Sequence, residues 1–289
     1  MIDLHTHSLF SDGSESPTRV CELALRAGCS TLALSDHDTL DGIPEARVAA
    51  ERLGIGFIPG CEVSFTLPVL ARYAVGHRSA HALVYFLDHH TPLDAELSTV
   101  RQGRVARNIS MVELLNSHGI EVSYADIIAE SGNEESTGRP HIAAVMMQKG
   151  YVQSIPEAFD KWLGYGRPAY AHRTSLTAER LTKLAAESGS LVVLAHPLRI
   201  GLTKDELAVL VDYLSSIGFT GLEAYYSTYT PDERDSLAKL AANYDMVATG
   251  GSDFHGTYKP EISVGTGTGD LDVPDSVLEQ LVARHDQPA

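Results

Sequence analysis

Met1–Gly13 reads MIDLHTHSLFSDG. In an extended chain successive side chains point to opposite faces, so Ile2, Leu4 and Thr6 share one side of a strand and His5 and His7 the other. Two imidazoles at i and i+2, at the end of an apolar strand, form a two-toothed metal chelate. The alternative is an N-terminal strand with two solvated histidines, and this stretch alone does not choose between them.

Six further strand-like runs follow, at Thr31–His37, Gly56–Val63, His81–Leu87, Leu191–His196, Gly221–Tyr225 and Met246–Gly250. Helical patterns separate most of them. Ser16-Pro17 and Thr230-Pro231 each supply an N-cap followed by proline at the first helical position, and Thr203 with Glu206 fits a capping box. Strand–helix alternation implies a mostly parallel sheet, open or closed as a barrel. Residues 97–171 break the rhythm. Val100–His118 has apolar residues at helical spacing and stops at Gly119, Gly132–Gly138 is a polar turn cluster, and Glu157–Leu163 suggests another short helix. This span reads as a helical insertion, with residues 1–96 and 172–289 as the barrel.

Histidines and carboxylates collect where the strands end. Beyond His5 and His7, the run ends carry Asp36-His37-Asp38, Glu62, His196 and Asp253-Phe254-His255. Parallel α/β folds place their active sites at the C-terminal ends of strands, and such a coincidence at five ends points to metal. Imidazole with carboxylate and no thiolate suits Mn, Zn, Fe or Mg-like ions. So many ligands imply more than one ion, with a carboxylate as the bridging group. Asp36 and Asp38 read as residues that orient His37 or cap the next helix.

Composition bounds the partners. The 289 residues carry 22 Lys+Arg against 38 Asp+Glu, a formal charge of −16, so a basic footprint for long duplex nucleic acid is absent. No 18-residue apolar run suggests a membrane span, and the N-terminus does not resemble a signal peptide. Cys21, Cys29 and Cys61 form no CxxC pair, which fits reduced thiols in the cytoplasm. The oligomeric state stays open.

Six motifs in order, D-L-H-T-H-S-L-F-S-D-G, S-D-H-D-T, G-C-E-V-S, H-A-L-V-Y-F-L-D, A-H-P and G-S-D-F-H, resemble the PHP (polymerase and histidinol phosphatase) family. T-G-R-P-H at Thr137–His141 and the A-F-D-K-W-L-G-Y-G-R-P-A-Y that follows are similar to the helical domain of its stand-alone phosphoesterase branch, which includes a nucleoside 3′,5′-bisphosphate phosphatase that also trims short oligonucleotides. The resemblance implies a distorted (β/α)7 barrel, α/β in class, with a helical insertion and three divalent ions: Mn²⁺ first, with Fe²⁺, Zn²⁺ or Mg²⁺ as alternatives. Carried onto this sequence it implies that His5, His7 and Asp253 hold the first ion and that Glu62 bridges it to a second. His81 and His196 would complete the second, and Asp12, His37 and His255 would hold the third. His81 is selected by motif alone over His77, His89 and His90, because it starts its run rather than ending it.

The implied chemistry is hydrolysis of a phosphomonoester by a hydroxide bridging two ions, with Asp253 or a neighbouring histidine such as His255 protonating the leaving alkoxide. No GxSxG elbow offers a rival nucleophile. Arg139, His141 and Arg199 are the candidate phosphate contacts, and Tyr165, Tyr170, Tyr225 or Tyr226 the candidates for stacking on a base. Arg101, Arg104 and Arg107 form a stripe that reads as a solvated helix face. The substrate expected is a small phosphorylated molecule, a nucleoside 3′,5′-bisphosphate or a short oligonucleotide. Histidinol phosphate phosphatase, another small phosphomonoesterase, an amidohydrolase and an inactive metal-binding module remain the alternatives.

Overall fold

The computed structural model describes residues 1–67, 79–172 and 175–287; His77 lies outside them. Chain order is β1 (Ile2–Asp3), α1 (Pro17–Ala27), β2 (Thr31–Leu34), α2 (Ile43–Leu53), β3 (Gly56–Thr66), β4 (Ser79–Tyr85), α3 (Pro92–Ser117), α4 (Tyr124–Ser131), α5 (Arg139–Gln148) and α6 (Ile155–Ala158). Then come β5 (Leu176–Thr177), α7 (Ala178–Glu187), β6 (Leu191–Leu194), α8 (Lys204–Ser216), β7 (Gly221–Tyr226), α9 (Pro231–Asn243), β8 (Val247–Gly251) and α10 (Ser276–His285).

The strands lie in the order β1-β2-β3-β4-β6-β7-β8. Backbone bonds from Leu4 N to Gly250 O (3.2 Å), Asp253 N to His5 O (2.8 Å) and His7 N to Phe254 O (3.0 Å) close β8 onto the first strand. The fold is thus a distorted (β/α)7 barrel. The distortion is β4, which pairs antiparallel with both β3 and β6 while the other barrel pairs are parallel. An unforeseen two-residue strand, β5, pairs with the far end of β3. The first strand is shorter than its alternation suggests: beyond Asp3 the chain bonds to Gly250 of β8 and then to Ser35, Asp253 and Phe254, past the ends of β2 and β8, rather than to one ladder.

Two apolar layers enclose the sheet. Ile2, Leu4, Ala33, Ile58, Leu83, Tyr85 and Val193 fill the barrel interior. Leu32, Leu34, Val63, Val84, Leu194, Leu222 and Ala224 face the helices. Four of those helices start as their caps dictate: Ser16, Thr177, Thr203 and Thr230 each accept a bond from a backbone N–H three residues on. Thr91-Pro92 is the same device, with Thr91 Oγ1 accepting from Asp94 N, so α3 begins two turns before the expected Val100. Its first half buries Leu93, Leu97 and Val100 against the barrel. Its second half buries Met111, Val112 and Leu115 in a separate cluster with residues of α4, α5 and α6. One 26-residue helix therefore serves both bodies, and residue 97 lies inside it. No helix among the described residues is long and apolar enough to cross a membrane.

Candidate metal centre

Glu62 is the hub. It is 1% exposed, lies on β3, and meets five imidazoles. Its Oε2 is 3.3 Å from His5 Nε2, 3.2 Å from His7 Nε2 and 3.3 Å from His37 Nδ1. Its Oε1 is 2.7 Å from His81 Nδ1 and 2.9 Å from His196 Nε2. Asp253 Oδ1 completes a first group, 3.5 Å from His5 Nε2 and 3.3 Å from His7 Nε2. Asp12, His37 and His255 stand together with His7 as a second, Asp12 Oδ1 lying 3.3 Å from His255 Nε2 and Asp12 Oδ2 3.7 Å from His37 Nε2. The structure brings all nine proposed ligands to one rim of the barrel.

The antiparallel β4 explains His81. Because the strand runs backwards, its beginning lies at the rim where its neighbours end, and His81 pairs with Ser64, two residues past Glu62. His89 and His90 sit beside the start of α3 instead, His90 N donating to Asp94. The rim also holds His196 and Asp253 at φ +29° and +56°, left-handed values that cost non-glycine residues about 1–3 kcal/mol each and collect at functional sites. Gly251 lets β8 approach His5; a Cβ there would meet His5 N at 2.4 Å.

Donor spacing tests the fit to metal. An ion held at about 2.0–2.1 Å by four tetrahedral donors leaves them about 3.3–3.4 Å apart. In the group His5, His7, Glu62 and Asp253, His5 Nε2 and His7 Nε2 are 3.1 Å apart and their contacts to the two carboxylates span 3.2–3.5 Å. Without an ion, one proton shared between the two ring nitrogens holds them at this distance; with one, the same four donors already have the spacing it needs. The contacts of His81 and His196 to Glu62 are hydrogen-bond lengths, so an ion between them needs these rings to part by roughly half an ångström. Asp12 Oδ1, His37 Nδ1 and His196 Nδ1 are buried without a hydrogen-bond partner, which is costly unless a ligand claims such atoms.

Charge is strongly coupled here. Burial pushes the carboxyls of Glu62, Asp12 and Asp253 up, but the imidazoles around them, with Lys259 beside Asp253, prevail and hold all three well below the usual range: His37, His81 and His5 around Glu62, His37 and His255 around Asp12, and Lys259, His5 and His255 around Asp253. Burial opposes charge on His7 also, yet Asp253 and Glu62 raise it to about 9. Burial leads at His37 and His255 and depresses both. An ionised Asp253 has no proton to give. His255 Nδ1 lies 2.9 Å from Asp253 O and its Nε2 3.3 Å from Asp12 Oδ1.

Asp36 and Asp38 also do something other than cap α2, whose N-cap is Gly42. Asp36 accepts from Ser8 N, Ser8 Oγ and Ser11 Oγ, each at 2.7 Å, and pins the loop that carries Asp12. Asp38 accepts from Arg104 Nη2 at 2.6 Å and from Ser64 N at 3.2 Å, while its carbonyl accepts from Arg101 Nη1 at 2.8 Å. The arginine stripe is therefore not solvated: Arg104 is 5% exposed, because α3 lays that face over the rim.

A cavity of about 580 Å³ opens above the ligands, and Arg104, Arg107, Arg139, Arg199 and Lys259 line it. Arg139 rests over the Phe159 ring at 5.5 Å. Arg199 Nη1 donates to Tyr226 OH at 3.4 Å. Tyr165, Tyr170 and His172 also line the cavity, the two tyrosine rings 5.3 Å apart at 69°. His141 does not line it; the ring is buried and its Nδ1 accepts from Gly138 N at 2.9 Å, capping α5. Tyr226 is fully buried and cannot stack on a base; its hydroxyl donates to Asp253 Oδ2 at 2.6 Å. Tyr225 does not line the cavity either. Of the histidines without a motif, His118 bonds Leu114 O at 2.9 Å and His285 stacks on Phe86.

Sequence reasoning missed Lys259, whose Nζ is 2.6 Å from Asp253 Oδ2, and Glu223, whose Oε1 is 2.8 Å from His5 Nδ1. A glutamate inside the apolar run Gly221–Tyr225 was the available signal for the second; a loop lysine gives none.

Comparison with known proteins identifies the family. The model of the family described as PHP domain matches residues 3–163. A Haemophilus influenzae protein named 5′-3′ exoribonuclease is 32% identical over 88% of this chain and 89% of its own. A Chromobacterium violaceum protein named 3′,5′-nucleoside bisphosphate phosphatase is 31% identical over 88% and 87%. Among solved structures, one from Chromobacterium violaceum described as an amidohydrolase with bound sulfate and no metal superposes with a TM-score of 0.87 at 30% identity, covering 98% of this chain and 96% of its own.

Proposed function

Since the chain belongs to the PHP domain family and is a metal-dependent phosphoesterase, we propose that it hydrolyses a nucleoside 3′,5′-bisphosphate to the 5′-monophosphate and phosphate. One observation carries the reading: nine histidine and carboxylate side chains, the proposed ligands, gather at one rim of the barrel beside a cavity that Arg139 of α5 and Arg199 and Lys259 also line. One phosphate would lie on the ligand cluster and the other against Arg139, whose planar guanidinium suits a phosphate in two-toothed fashion. Residues 97–171 act in this reading as a cap domain on the barrel of residues 1–96 and 172–289.

His5, His7 and Asp253 would hold one ion, Glu62 with His81 and His196 a second, and Asp12, His37 and His255 a third. Mn²⁺ is the first choice on the family resemblance, and a donor set of nitrogen and oxygen without sulfur admits it along with Fe²⁺, Zn²⁺ and Mg²⁺. Bound divalent ions supply Lewis acidity toward the phosphoryl oxygens and an activated water. The chain's own part is to keep the ligands anionic and fixed. Lys259 and Tyr226 both donate to Asp253 Oδ2, which leaves Oδ1 free to face the histidines. Arg104 and Asp36 hold the two loops that carry His37 and Asp12.

Trimming of short oligonucleotides from the 5′ end is a second reading, favoured by Tyr165 and Tyr170 at the cavity wall, where bases stack without regard to sequence. The three cysteines are buried and unpaired, which agrees with a reducing compartment.

The test is phosphate release from adenosine 3′,5′-bisphosphate with Mn²⁺, scored against AMP and histidinol phosphate, with and without chelator. Release from the bisphosphate with AMP intact, abolished by chelator, is expected. Release from histidinol phosphate alone would overturn the substrate assignment and leave the metal chemistry standing.

A further inference from the structure

Glu223 is an ionisable side chain inside an apolar barrel. Its neighbours on β7, Leu222 and Ala224, pack outward among the helix-facing residues, so Glu223 points inward, toward the layer formed by Leu4, Tyr85 and Val193. It is 0% exposed. A carboxylate in such a place is expensive unless every oxygen is satisfied. Both are. Oε1 lies 2.8 Å from His5 Nδ1, and Oε2 accepts from the backbone N–H of His196 at 2.6 Å. The ladder between β7 and β8 shifts register just after Glu223, the kind of irregularity that re-aims a side chain.

The two contacts serve opposite sides of Glu62. The His5 Nδ1–H directed at Glu223 leaves the Nε2 lone pair facing His7 Nε2, Glu62 and Asp253. The bond to His196 N holds a residue at φ +29°, a backbone that needs an outside partner to persist. The His5 and His196 rings lie 5.9 Å apart and only 22° from parallel, as expected when one group anchors both.

We propose that Glu223 is the positioning residue of the metal centre: one carboxylate that sets the tautomer of His5 and the backbone of His196, so that the first and second ion subsites form together. This rests on the metal reading above. Glutamine at 223 keeps the size but has one acceptor. It can serve His196 N or His5 Nδ1, not both, and an amide N–H turned toward His5 selects the tautomer with its proton on Nε2, where the ion would bind.

The experiment is Mn²⁺ titration of metal-stripped full-length protein, followed by the electron paramagnetic resonance of free Mn²⁺, for wild type, Glu223→Gln and His5→Ala. Thermal melting of the stripped forms runs alongside. Loss of a carboxylate that orients a ligand histidine weakens metal affinity about 10–100-fold. Glu223→Gln should lose that much at more than one ion, with a melting transition still cooperative. Unchanged affinity in Glu223→Gln while His5→Ala is weakened overturns the proposal alone. Unchanged affinity in both overturns the metal reading itself. Should Glu223→Gln fail to fold, long-range ¹⁵N–¹H spectra of the Zn²⁺-loaded wild type decide: a proton on His5 Nδ1 sustains the proposal, and a proton on Nε2 overturns it.

Discussion

Replacing Arg104 by methionine should break the link between the helical segment and the metal rim. Arg104 Nη2 and Asp38 Oδ2 are 2.6 Å apart, with side chains 6% and 0% exposed. Methionine fills much of the space but takes the Arg104 cation from a buried Asp38, at a residue that already holds φ +58°. Removing one partner of a buried ion pair costs about 3–5 kcal/mol. Unfolding entropy of about 2.1 cal/mol/K per residue, over this chain's length, gives roughly 0.6 kcal/mol/K, so the melting temperature should fall by about 5–8 °C. Calorimetry in the presence of chelator measures this apart from metal binding, which would stabilise the folded form by mass action. The paired change Asp38→Asn with Arg104→Met should cost clearly less than the sum of the two single changes, since it leaves no unpaired charge. A drop under about 2 °C for Arg104→Met, or strict additivity in the cycle, would refute the reasoning and return the arginine stripe to a solvent-facing role.

Three further outcomes follow from the site. Lys259→Met removes one of two donors from Asp253 Oδ2 and should lower kcat by about 10–100-fold with the fold intact, the range for a group that orients a metal ligand; an unaltered kcat in steady-state assays would contradict the role. Arg139→Ala should lower kcat/KM for adenosine 3′,5′-bisphosphate by about 10–100-fold, the worth of a charge-assisted bond of about 1.5–3 kcal/mol, without changing the Mn²⁺ bound per chain; equal turnover would place the second phosphate elsewhere. In the metal-free protein His7 is raised to about 9, so at neutral pH its ring carries a proton that an ion must displace. Metal uptake should therefore release protons, and affinity should rise with pH until about 9 and then level. Calorimetry at pH 7.5 in buffers of different ionisation enthalpy reads this directly, and identical heats in all buffers would exclude it.

Capping was legible because it is local; alternation was legible only in part. Alternation holds only as far as the ladder, Ile2–Asp3; Leu4 still enters the barrel interior, yet His5 next to it meets the inward-facing Glu223, so the break in the strand and not the alternation brings the imidazoles to the rim. The caps at Ser16, Thr203 and Thr230 start their helices where the residues say they must. The start of α3 was legible too, in Thr91-Pro92, but the apolar spacing from Val100 onward drew attention away from it.

Ligand type, strand ends and helix starts follow from residues a few positions apart, and the sequence by itself determined them: a strand–helix barrel whose strand ends carry imidazole and carboxylate without thiolate. Tertiary structure decided what depends on distant partners. The direction of β4 is one such matter, since period-two alternation is the same read forwards or backwards, and only pairing with β3 and β6 turns His81 to the rim. The burial of Arg104 is another, because a cation every third residue looks solvated until a specific carboxylate, 66 residues away in sequence, meets it. Glu223 belongs with these: it reaches His5, 218 residues away, only because closure of the barrel brings β7 to the strand that begins the chain.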